Sequence, residues 1–274
     1  HRDLHSFPTR RSSDLPICTI RYRLSGQGPA VILVHGYLEN LEIWEDIVPD
    51  LEQNYTVLRV DLPGHGKSVC KLQTISMDLM ADSISAVMTN LGIKKAFMVG
   101  HSMGGYTTLA FAERYPNWLN GFCLLHSSAN ADSSEKRQSR MNDIETIKNG
   151  GKRDLVYLSI PRLFANQNLE KMDDLVDKFI KIGLNTTDKG IIGALQGMAQ
   201  RPDRNHVIEN ATIPVFFIFG KYDNLITMEV AKTLIERHKK ARTVILNNSG
   251  HMGFVEEKNQ TTAAITSFLT QVFS

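Results

Sequence analysis

The chain has 274 residues, a length that suits one large domain or a core carrying an insertion, and one that can bury a full core without staples. Lys and Arg number 31 against 29 Asp and Glu, so the formal net charge is +2, and 42% of the residues are hydrophobic. That balance excludes a disordered chain, a collagen, a disulfide-rich scaffold and a strongly basic nucleic-acid binder.

The opening stretch, His1 to Leu15, has no apolar core and no periodicity, so it is not a signal peptide. It resembles translated sequencing-adaptor sequence of the kind that contaminates environmental gene assemblies. It is therefore set aside as a non-native leader, which leaves any export signal outside the chain. No run of eighteen apolar residues occurs, so no membrane span is expected. Cys18, Cys70 and Cys123 are odd in number and widely spaced, which gives no disulfide framework and no metal signature. A reducing, cytoplasmic location is the simplest expectation from them.

Ile17 to Leu24 alternates weakly and predicts an edge strand, closed by a Ser25-Gly26-Gln27-Gly28-Pro29 turn. Ala30 to Val34 is a continuous β-branched and apolar run, as expected for a strand covered on both faces. Leu41 to Leu51 carries apolar residues near helical spacing, and Tyr55 to Val60 is another strand. Ser76 to Leu91 places Met77, Met80, Ile84, Val87, Met88 and Leu91 on one helical face. Ala96 to Val99 is a short buried strand, Met103 to Tyr115 a helix rich in small residues, and Gly121 to Leu125 the next strand. Ile213 to Phe219 and Arg242 to Leu246 are two more strands, and Thr261 to Phe273 is a closing helix.

Strands alternating with helices imply a largely parallel sheet with helices on both faces. The alternation breaks between about residues 130 and 210, where strand signals are missing. Short helical patterns stand there instead, at Ser134 to Lys148, Arg153 to Ser159, Leu169 to Ile182 and Lys189 to Met198. A structureless loop of that length is improbable, so an inserted helical subdomain is the better account.

The sharpest local signal is Val99-Gly100-His101-Ser102-Met103-Gly104-Gly105, a Gly-x-Ser-x-Gly turn between a strand and a helix. Such an elbow exposes the Ser102 hydroxyl above the sheet and brings helix N-terminal N–H groups beside developing negative charge. A serine hydroxyl needs a base, and His251 lies in the loop after the Arg242 to Leu246 strand. The base needs an acid to fix its tautomer, and Asp223 follows the strand ending at Phe219. Both stand at carboxyl ends of strands, where open α/β sheets place their sites. Oxyanion donors are expected from the backbone N–H of Met103 and of Tyr37, the latter in the loop after Ala30 to Val34.

Together His35-Gly36, Asp61-Leu62-Pro63-Gly64-His65-Gly66-Lys67-Ser68, Gly100 through Gly105, Gly220 through Asp223 and Gly250-His251 resemble the α/β-hydrolase superfamily. The match is to its small carboxylesterase-like serine hydrolases with a helical cap, and it covers nearly everything from Ile17 onward. The resemblance implies an α/β-hydrolase fold with eight mostly parallel strands, helices on both faces, and a cap inserted after the sixth strand. The core would then be 16–129 with 211–274 and the cap 130–210, with Asp61 and His65 structural. Ser102 stands where haloalkane dehalogenases and epoxide hydrolases carry aspartate, which argues against both. The implied activity is cleavage of small-molecule carboxylic esters through an acyl-enzyme. A cofactor-free perhydrolase or haloperoxidase-like enzyme, a carbon–carbon bond hydrolase and a non-enzymatic ligand receptor remain alternatives. No cofactor and no metal are expected, since His65, His126, His206 and His238 form no ligand-spaced cluster. Substrate contacts are expected from His101, His126 and Ser127 beside the elbow and from Phe164 and Leu195 in the cap, with Leu163, Ile191, Ile192 and Met198 as further candidates. The partner is a small molecule rather than nucleic acid, and monomer and homodimer are not distinguished.

Overall fold

The computed structural model describes residues 2–9 and 17–274. Nine strands form one sheet: β1 (Arg2–Thr9), β2 (Cys18–Ser25), β3 (Ala30–Val34), β4 (Thr56–Val60), β5 (Val69–Cys70), β6 (Ala96–His101), β7 (Leu119–Leu125), β8 (Val215–Gly220) and β9 (Arg242–Leu246). Eight follow the order β1-β2-β4-β3-β6-β7-β8-β9, and the two-residue β5 pairs with β2 off that path. From β4 through β9 all neighbours run parallel, while β1, β4 and β5 pair antiparallel with β2.

The parallel centre follows from composition. Strands β3 and β8, and β6 up to Val99, are apolar runs buried on both faces, and only a sheet covered by helices on each side accepts such runs. The helices of the described residues are α1 (Val48–Leu51), α2 (Met77–Leu91), α3 (Met103–Arg114), α4 (Ser134–Lys148), α5 (Lys152–Ser159), α6 (Asp173–Leu184), α7 (Asp188–Gln200), α8 (Asn205–Glu209), α9 (Met228–Arg237), α10 (Gly253–Glu256) and α11 (Lys258–Phe273). The apolar face of α2 is buried with Met77, Met80, Ile84, Val87 and Met88 inward, as its periodicity predicts. Among the described residues no helix is long and apolar enough to cross a membrane.

Between β7 and β8 the described chain contains only helices and 3-10 turns, in the region where strand signals are missing. Thr187 caps α7 by accepting from the Gly190 N–H. The expected helix from Leu169 starts later, at Asp173, because 3-10 turns occupy residues 166–172. The single helix expected over Leu41 to Leu51 is divided. Asn40 caps a 3-10 turn over Leu41–Trp44, and α1 restarts with Pro49 in its first turn, where a missing N–H costs nothing.

Residues 2–9, set aside as a leader, add a strand to the sheet, antiparallel to β2, and supply the eighth member of the strand path. One further expectation needs correction. Cys18 and Cys70, which the spacing left unpaired, are directly opposed across β2 and β5 and joined by a disulfide. Spacing could not reveal this, because only the β2–β5 register brings them together. The argument for a reducing compartment therefore loses its footing.

Candidate active site

Ser102 sits between β6 and α3 at φ 50° and ψ −115°, outside the ordinary allowed regions for a side-chain-bearing residue. The crossing is tight. A Cβ on Gly104 would run into the Val34 and His35 carbonyl oxygens, and one on Gly100 into Gly104 and Thr108. The elbow is held from both sides, since the Ser102 N–H donates to the Leu125 carbonyl at 3.1 Å and the Ser127 hydroxyl donates to the Ser102 carbonyl at 2.8 Å. The described non-glycine residues with positive φ are Leu38, Ser102 and His126, all beside this elbow or the acid it faces. Strain collected in one place is characteristic of functional sites.

Asp223, just past β8, is fixed by its own turn: one oxygen accepts from the Leu225 and Ile226 N–H groups at 2.7 and 2.9 Å. Its other oxygen lies 2.7 Å from His251 Nδ1. That contact places the imidazole proton on Nδ1 and leaves Nε2 with a free lone pair, buried and without a protein partner. The His251 N–H donates to the Leu163 carbonyl at 2.6 Å, so the helical insertion itself positions the imidazole. Burial opposes ionisation of Asp223, but His251 and then His126 hold its carboxyl far below the usual carboxylate range.

His126 was expected in the pocket; the structure places it behind Asp223 instead. Fully buried, its Nε2 accepts from the Gly253 N–H at 3.1 Å, so its proton resides on Nδ1, 3.4 Å from Asp223 Oδ2. Burial lowers its pKa to about 4 against the pull of Asp223, so the ring is neutral near pH 7. The ligand-type atoms of His126, Asp223 and His251 lie within 4.8 Å of one another, a cluster unexpected from spacing. Every one of these atoms facing Asp223 is already committed to a hydrogen bond or carries its proton there. A cation in their midst would break those bonds, so the donor set does not fit a metal site.

His101, the residue before Ser102, was also expected to face substrate, and it is buried instead. Its Nδ1 lies 3.0 Å from Glu39 Oε2 and its Nε2 2.9 Å from the His251 carbonyl. Both ring nitrogens face acceptors, so both carry protons and the imidazole is a cation paired with Glu39. Burial disfavours that charge, yet Glu39 raises the His101 pKa; burial likewise opposes the Glu39 charge, and His101 lowers its pKa. Glu39 also accepts from the Gly36 N–H at 2.5 Å. One buried ion pair thus ties the loop before Tyr37, the elbow and the His251 loop together.

A cavity of about 220 Å³ is lined by Ser102, His251, Tyr37, Leu38 and, from the insertion, Leu163, Leu195 and Met198 among others. Among the described residues the Tyr37 and Met103 N–H groups donate to no protein acceptor. Of the expected substrate contacts, Leu195, Leu163 and Met198 line this cavity. Phe164 does not: it is fully buried against Phe179 with ring centroids 5.9 Å apart. Ile191 and Ile192 also lie outside the lining, and Ser127 is occupied by the elbow. Asp61, as expected, is structural, accepting from the Leu41 and Lys67 N–H groups and from Arg21. His65 is buried, with its pKa lowered to about 3 chiefly by that burial. A larger cavity of about 620 Å³ lies at the opposite end of β8, between Ile208–Val215 and Glu236–Ala241, far from any of this chemistry. Sequence reading missed Glu39, which carries no motif, and the charged residues that α4 contributes to the cavity.

The doubly covered parallel sheet, with an elbow at the end of β6 and an acid–base pair after β8 and β9, defines an α/β-hydrolase type of protein. Residues 29–258 match the family described as alpha/beta hydrolase fold, and the chain belongs to that family. It is 26% identical over 245 residues to a pimeloyl-[acyl-carrier protein] methyl ester esterase of Neisseria meningitidis serogroup A, covering 88% of this chain and 77% of that one. It is 28% identical to the dihydrolipoyllysine-residue acetyltransferase component of an acetoin cleaving system from Pseudomonas putida, covering 90% of this chain and 65% of that longer protein. Among solved structures, a thermophilic esterase from Thermogutta terrifontis with malate bound superimposes with a TM-score of 0.93 at 25% identity, covering 99% of this chain and all of the other. Esterase-type hydrolases are thus the chain's relatives in both sequence and structure.

Proposed function

We propose that the protein is a serine hydrolase that cleaves small-molecule carboxylic esters through an acyl-enzyme. The observation that carries this is the Asp223–His251 contact at 2.7 Å, which leaves His251 Nε2 as a buried, unpartnered base on the cavity that Ser102 lines. His251 takes the Ser102 proton as the oxygen attacks the ester carbonyl. The tetrahedral oxyanion accepts from the Tyr37 and Met103 N–H groups, each such donor contributing about 3 kcal/mol to the transition state. His251 then protonates the leaving alcohol, the acyl group remaining on Ser102. Water, deprotonated by His251, attacks that acyl carbon and releases the acid. Asp223 stays ionised throughout and stabilises the imidazolium.

The cavity is below the ~300–1,000 Å³ typical of ligand pockets, which favours short acyl groups. The helical insertion acts as a cap, since it supplies both cavity walls and the carbonyl that holds His251. The activity named for the Neisseria relative, a methyl ester esterase, supports the same reaction class. Incubation with a fluorophosphonate should label the wild type and not Ser102→Ala, and a series of 4-nitrophenyl esters should show turnover falling steeply with acyl length. Equal labelling of both proteins removes Ser102 as nucleophile. Labelling without hydrolysis of any ester shifts the assignment to carbon–carbon cleavage or ligand sensing.

A further inference from the structure

We propose that the cavity beside Ser102 is built for an ester bearing an anionic group, a carboxylate or a phosphate, remote from the scissile bond. This rests on the ester-hydrolase reading of the same site. Three cationic side chains, Lys136, Arg140 and Arg162, line the cavity against one carboxylate, Asp143. Among the described residues neither Lys136 nor Arg162 forms an ion pair, and Asp143 pairs with none of the three. Arg140 is held in place by Asp132, with Nε at 2.5 Å and Nη2 at 3.3 Å. Asp132 is also shared with Arg201 Nη1 at 2.7 Å, so one carboxylate serves two guanidiniums and the positive charge is in excess.

A second feature points the same way. The Tyr37 hydroxyl, on the cavity wall, is buried without any partner. Burial, then Asp143, pushes its pKa up, so it stays protonated and has an O–H to donate to something in the cavity. The orphaned buried O–H is costly to maintain in an empty site, and a single anion there is reached both by that hydroxyl and by Lys136 and Arg162, whose exposed side chains stand at the cavity mouth. The rest of the wall is apolar, with Ile160, Leu163, Leu195, Met198, Leu225 and Ile226. An apolar wall ending in donors suits a short hydrocarbon chain with a charged tail.

The test compares 4-nitrophenyl hydrogen glutarate with 4-nitrophenyl pentanoate, two esters of equal chain length that differ in a terminal carboxylate. The glutarate ester should have the higher kcat/KM by roughly tenfold at low ionic strength, mainly through KM, as one or two charge-assisted hydrogen bonds predict. The ratio should narrow with added salt. Arg162→Gln and Lys136→Gln should each lower the ratio several-fold, while Lys94→Gln, at a distant exposed position, should not. Glutarate and inorganic phosphate, used as competitive inhibitors of pentanoate ester hydrolysis, separate the two sources of the anion: the tighter inhibitor identifies the head group. A ratio at or below one, or one that both substitutions leave intact, overturns the proposal. Should neither ester be turned over, the hydrolase reading fails on its own. Calorimetry with glutarate and butyrate then decides this one: preference for glutarate, lost in Arg162→Gln, supports it, and equal binding or none overturns it.

Discussion

Replacing Glu39 by Gln isolates the charge of the buried pair, because the two side chains are nearly isosteric. In the native protein His101 is a cation, with acceptors 3.0 and 2.9 Å from its two nitrogens. Keeping that cation without Glu39 would cost about 3–5 kcal/mol, so in the variant the ring sheds its proton. His101 with Glu39 has a raised pKa, so its contribution to stability is complete below about 6.5 and is lost as pH rises through the folded value. Glu39 has a lowered pKa, so its contribution is present above about 4.5 and is lost as pH falls through its folded value. Without the charge on residue 39, folding demands a neutral His101 and becomes harder as pH falls. The stability gap between wild type and Glu39→Gln should therefore widen as the pH is lowered, by at most about 1.4 kcal/mol per unit. For a chain of this size that limit is roughly 3–6 °C in Tm per pH unit. Thermal unfolding of both proteins at pH 7.5 and 5.5 measures it directly. A gap that is constant, or larger at pH 7.5, refutes the assignment of His101 as a cation paired with Glu39.

Asp223→Asn should keep the fold yet lower kcat by roughly 10⁴, because an amide can donate to Nδ1 and turn Nε2 into the protonated nitrogen; a loss below tenfold in steady-state hydrolysis would remove Asp223 from the mechanism. Gly104→Ala should destabilise by about 3 kcal/mol or more, since its Cβ meets backbone carbonyls of Val34 and His35 that belong to the central sheet and cannot swing aside. Its Tm and probe-labelling rate should fall together, and a variant matching wild type in both would contradict the close crossing of β3 and α3. Reduction of the Cys18–Cys70 disulfide, 52 residues apart, should lower stability by up to about 4 kcal/mol on loop-closure entropy. Thermal unfolding with and without reductant reads that loss, and coincident curves, with a mass unchanged on reduction, would mean the two thiols are not bonded.

The parallel order of the sheet and the positions of Ser102, Asp223 and His251 at its carboxyl edge were legible because each rests on local information. An apolar β-branched run needs covering on both faces, and a glycine-flanked serine after such a run is an elbow whatever lies elsewhere. Asp223 and His251 could be chosen among many acids and histidines because each directly follows a strand. The break in alternation likewise announced the helical insertion between β7 and β8.

The partners of buried polar groups were not legible. Glu39 and His101 are 62 residues apart and meet only because β3 and β6 are adjacent in register. His126 also follows a strand, and nothing in its surroundings in the chain separates a ring facing substrate from one facing Asp223. Its inward turn depends on a positive φ and on the Gly253 N–H, 127 residues away. Cys18 and Cys70 meet through the β2–β5 register, and residues 2–9 gain their strand only from the open edge of β2. Lys136, Arg140 and Arg162 read along the chain as ordinary helix-surface charges. Hydrophobic periodicity tells which side of an element turns inward, whereas the group that satisfies a buried donor or charge is set by how separate elements dock. For this protein the chain itself determined the elements and the sheet edge where its chemistry gathers; only the docked structure decided which polar groups share that edge and which charges line the cavity above it.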